Sequence, residues 1–298
     1  MILGIAAGNE QISTKFSPRG LCAHARYTWE CLTNCHAAVQ VCSYNALMTT
    51  PASAQRAQAL FDELLADPGY ASGERRFPRR LSRDEAADLA QGLAEQVDRG
   101  CQARSEVARK QSLPIVCSVG CNGCCEELVM VYQPEAVAVT RWLMRPENHA
   151  ARDAFLGAYA AWKAAAGNAA AQMADCTAKG DNAAYMKLHI AQWQKRLMCA
   201  FNQGGTCSIY PVRPIACRNA HAVETAAFCN GANDGSRPAQ RLEFAPLDDY
   251  VNSAKKALRA AHNSLGEPRN RPAALCEAVF NQLRTLLDAA KKRARRAE

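Results

Sequence analysis

The placement of its cysteines constrains this chain more than any other feature. Of fifteen in 298 residues, eight fall in two islands. The first, Cys117-Ser-Val-Gly-Cys121-Asn-Gly-Cys124-Cys125, holds four thiols in nine residues. The second begins at Cys199 and runs through Cys207 and Cys217 to Cys229. Tetrahedral thiolate coordination at about 2.3 Å per bond sets sulfurs roughly 3.7 Å apart, so the backbone between two ligands has to turn sharply. Gly120 and Gly123 in one island, and Gly204 and Gly205 in the other, turn at little steric cost. Pro211 and Pro214 stiffen the second island into a loop with little regular structure. Side chains of neighbours diverge, so Cys124 and Cys125 do not both serve one compact mononuclear site. One of them serves a second metal or a different iron, or simply packs.

At 49% hydrophobic and 21% charged, the chain can bury a sizeable core, which excludes disorder, collagen and coiled coil as descriptions of the whole. No apolar run reaches the length of a membrane span without a charge; the nearest, Phe155 to Met173, contains Lys163. An odd number of cysteines cannot pair completely, and the apolar start from Met1 to Gly8 has no basic residue ahead of it. A reducing, cytoplasmic setting is therefore expected. The formal charge of +8 is half tail: residues 284–298 carry six basic side chains against two acidic ones. That reads as a solvated helix end, with no interleaved aromatics for stacking on a nucleic acid.

Residues 1–47 hold Cys22, Cys31, Cys35 and Cys42 without an amphipathic pattern, whereas Met48 precedes a regular helix over 52–66. We expect 1–47 to be an extension upstream of a natural start at Met48, and 48–298 to be a single helical domain with its cysteine core at 117–229 and a basic C-terminal helix. The alternative for the extension is soft-metal binding by Cys31, Cys35 and Cys42. Ser82 and Glu85 make a capping box for a helix reaching about Gln111. The run Glu127–Tyr132 predicts a strand, Pro134 and Glu135 start a helix closed by Pro146, and further helices are expected over 150–179, 181–198, 247–263 and from Pro272 to the tail. Cys101, Cys176 and Cys276 fall on these helices and are expected to lie away from the islands. The fold class is mainly α, an irregular helical domain with short strands beside two cysteine-rich loops that form a metal centre.

The pattern CxxxCxxCC followed by CxFxxxxxCxIYxxRPxxCR, with Ile209-Tyr210, Arg213-Pro214 and Cys217-Arg218 in order, resembles the YkgJ family. This is the CxxCxxCC zinc- or iron-chelating domain family, which includes the flagellin lysine N-methylase. The likeness covers about Cys117 to Cys229, and departs from the family pattern in a first spacer of three residues and a long Ala-rich insert. It implies a zinc or iron–sulfur centre held by Cys117, Cys121, Cys124, Cys125, Cys199, Cys207, Cys217 and Cys229.

Four thiolates around a divalent ion leave a net charge near −2. Arg213 and Arg218 flank Cys217 and either stabilise such a centre as cofactor-binding cations or hydrogen-bond loop carbonyls. Tyr210 reads as a packed aromatic, and His221 as a replacement ligand or a loop residue. There is no Walker lysine motif, no GxGxxG after a strand, no HExxH and no nucleophile elbow. The leading expectation is a metal-binding protein. The rivals are a protein-lysine methyltransferase acting on a protein substrate and, more weakly, a metal storage or chaperone protein.

Overall fold

The computed structural model describes residues 51–71, 77–113, 115–117, 121–220, 222, 244–268 and 270–297. The expected extension at 1–47 with its four cysteines lies outside them, as do Gly120, His221 and Cys229. In chain order the elements are α1 (Pro51–Ala66), α2 (Pro68–Ala71), α3 (Arg83–Lys110), β1 (Met130–Val131), α4 (Gln133–Leu143), α5 (His149–Ala166), α6 (Ala169–Lys179) and α7 (Asn182–Trp193). These are followed by β2 (Asn202–Gln203), β3 (Thr206–Cys207), α8 (Ile215–Asn219), α9 (Ala245–Ser264), β4 (Ala273–Ala274) and α10 (Leu275–Ala297). The fold is mainly helical, and among the described residues no helix is long and apolar enough to cross a membrane.

Helix α3 starts where its capping box dictates: the Ser82 hydroxyl accepts from the Glu85 amide at 3.2 Å, and the Glu85 carboxylate accepts from the Ser82 amide at 2.8 Å. It packs on α1, α4, α8 and α9. The approach of α1 depends on Gly92, where a Cβ would come within 2.3 Å of the Ala57 Cβ. Buried Asp88 of α3 pairs with Arg56 of α1 at 2.8 Å and Arg141 of α4 at 2.7 Å, binding the three helices by charge as well as by packing.

Helix α4 is buried nearly all round, because it separates two apolar clusters. Val137 and Ala138 face a cluster built from α1, α3 and α9, with Leu64, Leu89, Val97 and Leu258 inside it. Ala136, Val139 and Leu143 face a second cluster with Phe155, Met173, Phe201 and Leu283. Phe201, just beyond Cys199, stacks on Phe155 with centroids 4.0 Å apart, and Tyr159 stacks on Phe280 at 3.7 Å. The second cysteine island therefore enters both clusters: Phe201, Ile209 and Val212 go to one and Ile215 to the other.

Four expectations are corrected. The stretch 150–179 is two helices, broken where Gly167 takes φ +59°. The helix after Asp181 stops at Trp193, and Arg196 takes φ +53°, which redirects the chain so that the Cys199 amide reaches the Cys125 carbonyl at 2.8 Å. The last helix starts at Leu275, because Ala273 and Ala274 pair antiparallel with Val131 and Met130. The strand expected over Glu127–Tyr132 is thereby reduced to two residues.

Glu135, buried in the first turn of α4, accepts from the Ile215 amide at 3.1 Å and the Tyr132 amide at 3.3 Å. Burial outweighs these bonds and lifts its pKa from 4.5 to about 7. Such a carboxyl binds more protons folded than unfolded between those values, so its contribution to stability falls as pH rises through that window. Urea unfolding should show the stability advantage of the native chain over Glu135→Gln shrinking by on the order of 3 kcal/mol between about pH 4.5 and 8. A pH-independent difference would contradict the buried, proton-binding carboxyl.

Candidate functional site

The first island ends in one turn of 3₁₀ helix, Gly123–Glu126, which carries Cys124 and Cys125. The second wraps over it. Cys199 leads into the hairpin of β2 and β3, whose turn is Gly204 and Gly205 at φ +58° and +88°, a left-handed pair that favours glycine. The hairpin is braced locally: the Ser208 amide and hydroxyl both donate to the Phe201 carbonyl, at 2.8 and 2.9 Å, and the Gly205 amide donates to the Asn202 Oδ1 at 3.0 Å. Cys207 lies in β3, and Pro211 and Pro214 carry the chain to α8, where Cys217 sits. One island is seated on the other by the Cys199 amide donating to the Cys125 carbonyl at 2.8 Å and, just ahead of the second island, by Arg196 donating to buried Glu126 at 3.3 Å, among other bonds.

Arg218 is the largest fully buried side chain, at 2% exposure. Its Nε donates to the Arg213 carbonyl and its Nη2 to the Pro211 carbonyl, both at 2.7 Å, while Nη1 meets the Asp98 carboxylate of α3. All three nitrogens are engaged, so this guanidinium shapes the proline loop and fastens it to α3. Arg213 is placed otherwise. Its guanidinium lies 4.0 Å from the centre of the Tyr210 ring, and its Nε is shut off from water with no hydrogen-bond partner. Its charge favours the thiolate forms of Cys125, Cys207 and Cys217, although burial outweighs it at the last two. The two arginines thus differ: Arg218 binds loop carbonyls and Asp98, while Arg213 lies on the Tyr210 ring with its charge within range of the thiols.

Cys125, Cys199, Cys207 and Cys217 form a quartet in which every pair interacts. Burial pushes the Cys217 thiol well up, and thiolates at Cys199, Cys207 and Cys125 would push it further. Burial likewise raises Cys207, to about 11, with Cys199 and Cys125 adding to it. Cys199 is raised by its hydrogen bond with Cys276, then by burial, with Cys125 a further contributor. Cys125 goes the other way, because Cys124 donates to its sulfur and Asn202 and Arg213 favour its anion; Cys124 rises correspondingly. The Asn202 Nδ2 is shut off from solvent and has no hydrogen bond of ordinary geometry. The nearby Cys125 sulfur is a weak acceptor as a thiol and a good one as a thiolate.

Of the other expected ligands, Cys124 adjoins the quartet through its hydrogen bond to Cys125. Cys117 accepts from the Ala222 amide at 3.2 Å and lies 3.7 Å from the Ala220 carbonyl, beside the exit of α8. Cys121 is half-buried, and Cys229 falls outside the described residues. Cys276 does not lie away from the islands: pairing of β4 with β1 delivers the start of α10 to the site, and the Cys276 and Cys199 sulfurs are 3.7 Å apart. Cys101 also departs from expectation, reaching the Arg218 carbonyl at 3.5 Å. Sequence separation hid both contacts, and nothing local marked Asp98 as the partner of Arg218.

Among the described residues no group of three or more His, Cys, Asp or Glu side chains is arranged to hold a metal ion as it stands. The quartet is a neighbourhood of sulfurs and not a formed coordination shell. Its chemistry nonetheless fits an anionic metal–thiolate group: soft donors come from three chain segments, and two buried donors beside them, Asn202 Nδ2 and Arg213 Nε, lack partners. No family model, curated protein or solved structure matches the chain.

Replacing Arg218 by Met should leave the Asp98 carboxylate and two loop carbonyls without their donor. Chemical denaturation should then report a loss of ~3 kcal/mol, because removing one partner of a buried ion pair strands the other. Arg218→Lys should recover less than half of it, since one ammonium cannot span all three acceptors. Stability within ~0.5 kcal/mol of the native chain would show that the clamp is dispensable.

Proposed function

We propose that this chain is a thiolate metal-binding protein in which Cys125, Cys199, Cys207 and Cys217 hold a zinc or iron–sulfur centre. The observation that carries this reading is the quartet itself: four sulfurs from a 3₁₀ turn, a hairpin and a short helix, all within electrostatic reach of one another. Thiolates within electrostatic range of one another repel, and the cost is relieved when a cation sits among them. When bound, the centre supplies a cross-link between the two islands. The chain's own groups do the rest. Asn202 and Arg213 offer their unpartnered nitrogens to the sulfurs, Arg218 fixes the loop that carries Cys217, and Gly204 and Gly205 let the hairpin turn tightly enough to present Cys199 and Cys207 together.

The two centres are separated by colour: the native chain purified without oxygen is brown with iron and sulfide, or colourless with stoichiometric zinc. In either case Cys207→Ser and Cys125→Ser should lose most of the metal and melt at lower temperature, because much of the binding free energy is folding free energy. Cys176→Ser, on α6 and outside the quartet, should keep both. Absence of zinc and iron from the native protein, or full metal content in both quartet variants, would overturn the assignment.

A further inference from the structure

The quartet has one further sulfur at its edge. Cys276 is 2% exposed, and its Sγ lies 3.7 Å from that of half-buried Cys199. The two are 77 positions apart in the chain, so the contact is made by the fold. Both backbones are tied down beside it: the Cys199 amide donates to the Cys125 carbonyl and the Leu275 amide to the Val129 carbonyl, each at 2.8 Å, next to the pairing of β4 with β1. What lies between the two held segments is a pair of thiols in contact. A disulfide places its sulfurs about 2.05 Å apart, so closing the gap asks each of them to move by less than about 1 Å. Cys124 and Cys125 also share a hydrogen bond, but neighbours in sequence have Cα atoms about 3.8 Å apart, below the range of about 4.4–6.8 Å usual for disulfides. Among the described residues, Cys199 and Cys276 are thus the sulfurs best placed to be joined.

We propose that a hydroperoxide oxidises this pair to a Cys199–Cys276 disulfide, which removes one of the four donors of the thiol centre and so releases its metal. The switch rests on the reading of Cys199 as a ligand. In that role Cys199 is a thiolate, the form that reacts with peroxide, and it is the less buried of the two. Its sulfur attacks one peroxide oxygen, the O–O bond breaks and hydroxide leaves, which gives a sulfenic acid at Cys199. The Cys276 sulfur then attacks the Cys199 sulfur: the S–S bond forms, the S–O bond breaks, and the Cys276 proton leaves with the hydroxyl as water. The hydroxide takes a proton from solvent, so each sulfur is oxidised by one electron and one peroxide is reduced to two waters. Because Cys276 is already in contact, it traps the sulfenic acid ahead of the irreversible sulfinic level.

The test starts from full-length protein purified without oxygen, its zinc and iron measured, then treated with hydrogen peroxide. Digestion without reductant and mass spectrometry should find the Cys199 peptide linked to the Cys276 peptide as the main cross-link, while a chromogenic chelator collects most of the metal as the link forms. Dithiothreitol, with the metal resupplied, should cleave the link and restore binding. Cys276→Val, which keeps a buried apolar side chain at that position, should hold the same metal before peroxide and form no such link. It should instead accumulate sulfinic acid at Cys199, which dithiothreitol does not reverse. Cys176→Ser, on α6, should respond as the native chain does. Metal present at the outset but no link between Cys199 and Cys276, a main link within the quartet, or the expected link formed with the metal retained would each overturn the switch. Absence of zinc and iron before peroxide is added would overturn the quartet reading, and the switch with it.

Discussion

A buried guanidinium organises the region on which everything else here depends. Arg218 sits inside the protein at the end of a loop that holds two prolines and lacks regular hydrogen bonding, and it takes the Pro211 and Arg213 carbonyls together with Asp98 of the long helix α3. Burying a charge is unfavourable unless every donor finds an acceptor, and here every nitrogen does. The consequence is geometric. With the loop fastened to α3, Ile215 enters one apolar cluster while Ile209 and Val212 enter the other, and Cys217 is fixed relative to the hairpin that carries Cys199 and Cys207.

The thiol site is thus assembled by ordinary forces acting at a distance from sulfur. Stacking of Phe201 on Phe155 anchors the hairpin, the Cys199 amide seats it on the first island, and pairing of β4 with β1 brings the start of α10 alongside. Electrostatics then divides the thiols. Cys125 is the one favoured as a thiolate, by Cys124 and then by Asn202 and Arg213, whereas the hydrogen bond with Cys276 and burial raise Cys199, and burial raises Cys207 and Cys217. For the proposed centre, that asymmetry would give an incoming metal a first ligand and three that follow with loss of their protons.

Much of this was legible along the chain. The Ser82 and Glu85 capping box located α3, the apolar spacing over 52–66 located α1, and glycine and proline marked both islands as turning loops. These signals are local, and so were the successes. The pairing of Ala273 and Ala274 with β1 joins residues more than one hundred and forty apart, and no window of sequence contains both partners. The same blindness assigned Cys276 to a helix remote from the islands when its sulfur lies 3.7 Å from that of Cys199. Gly167 was tolerated within an Ala-rich helical pattern, yet there the chain breaks between α5 and α6. The roles of Arg213 and Arg218 are indistinguishable by residue type; what separates them is that one has Asp98 and two carbonyls within reach and the other lies on the Tyr210 ring.

The central claim is that four sulfurs of the quartet surround one centre. X-ray absorption at the metal edge of the anaerobically purified full-length protein tests it most directly, because the scattering reports ligand element, number and distance together. The account predicts a shell of sulfur at about 2.3 Å, with four thiolate or sulfide ligands per metal, and loss of protein sulfur from that shell in Cys217→Ser. A shell made chiefly of nitrogen and oxygen near 2.0–2.1 Å, or a sulfur shell unchanged in Cys217→Ser, would contradict it.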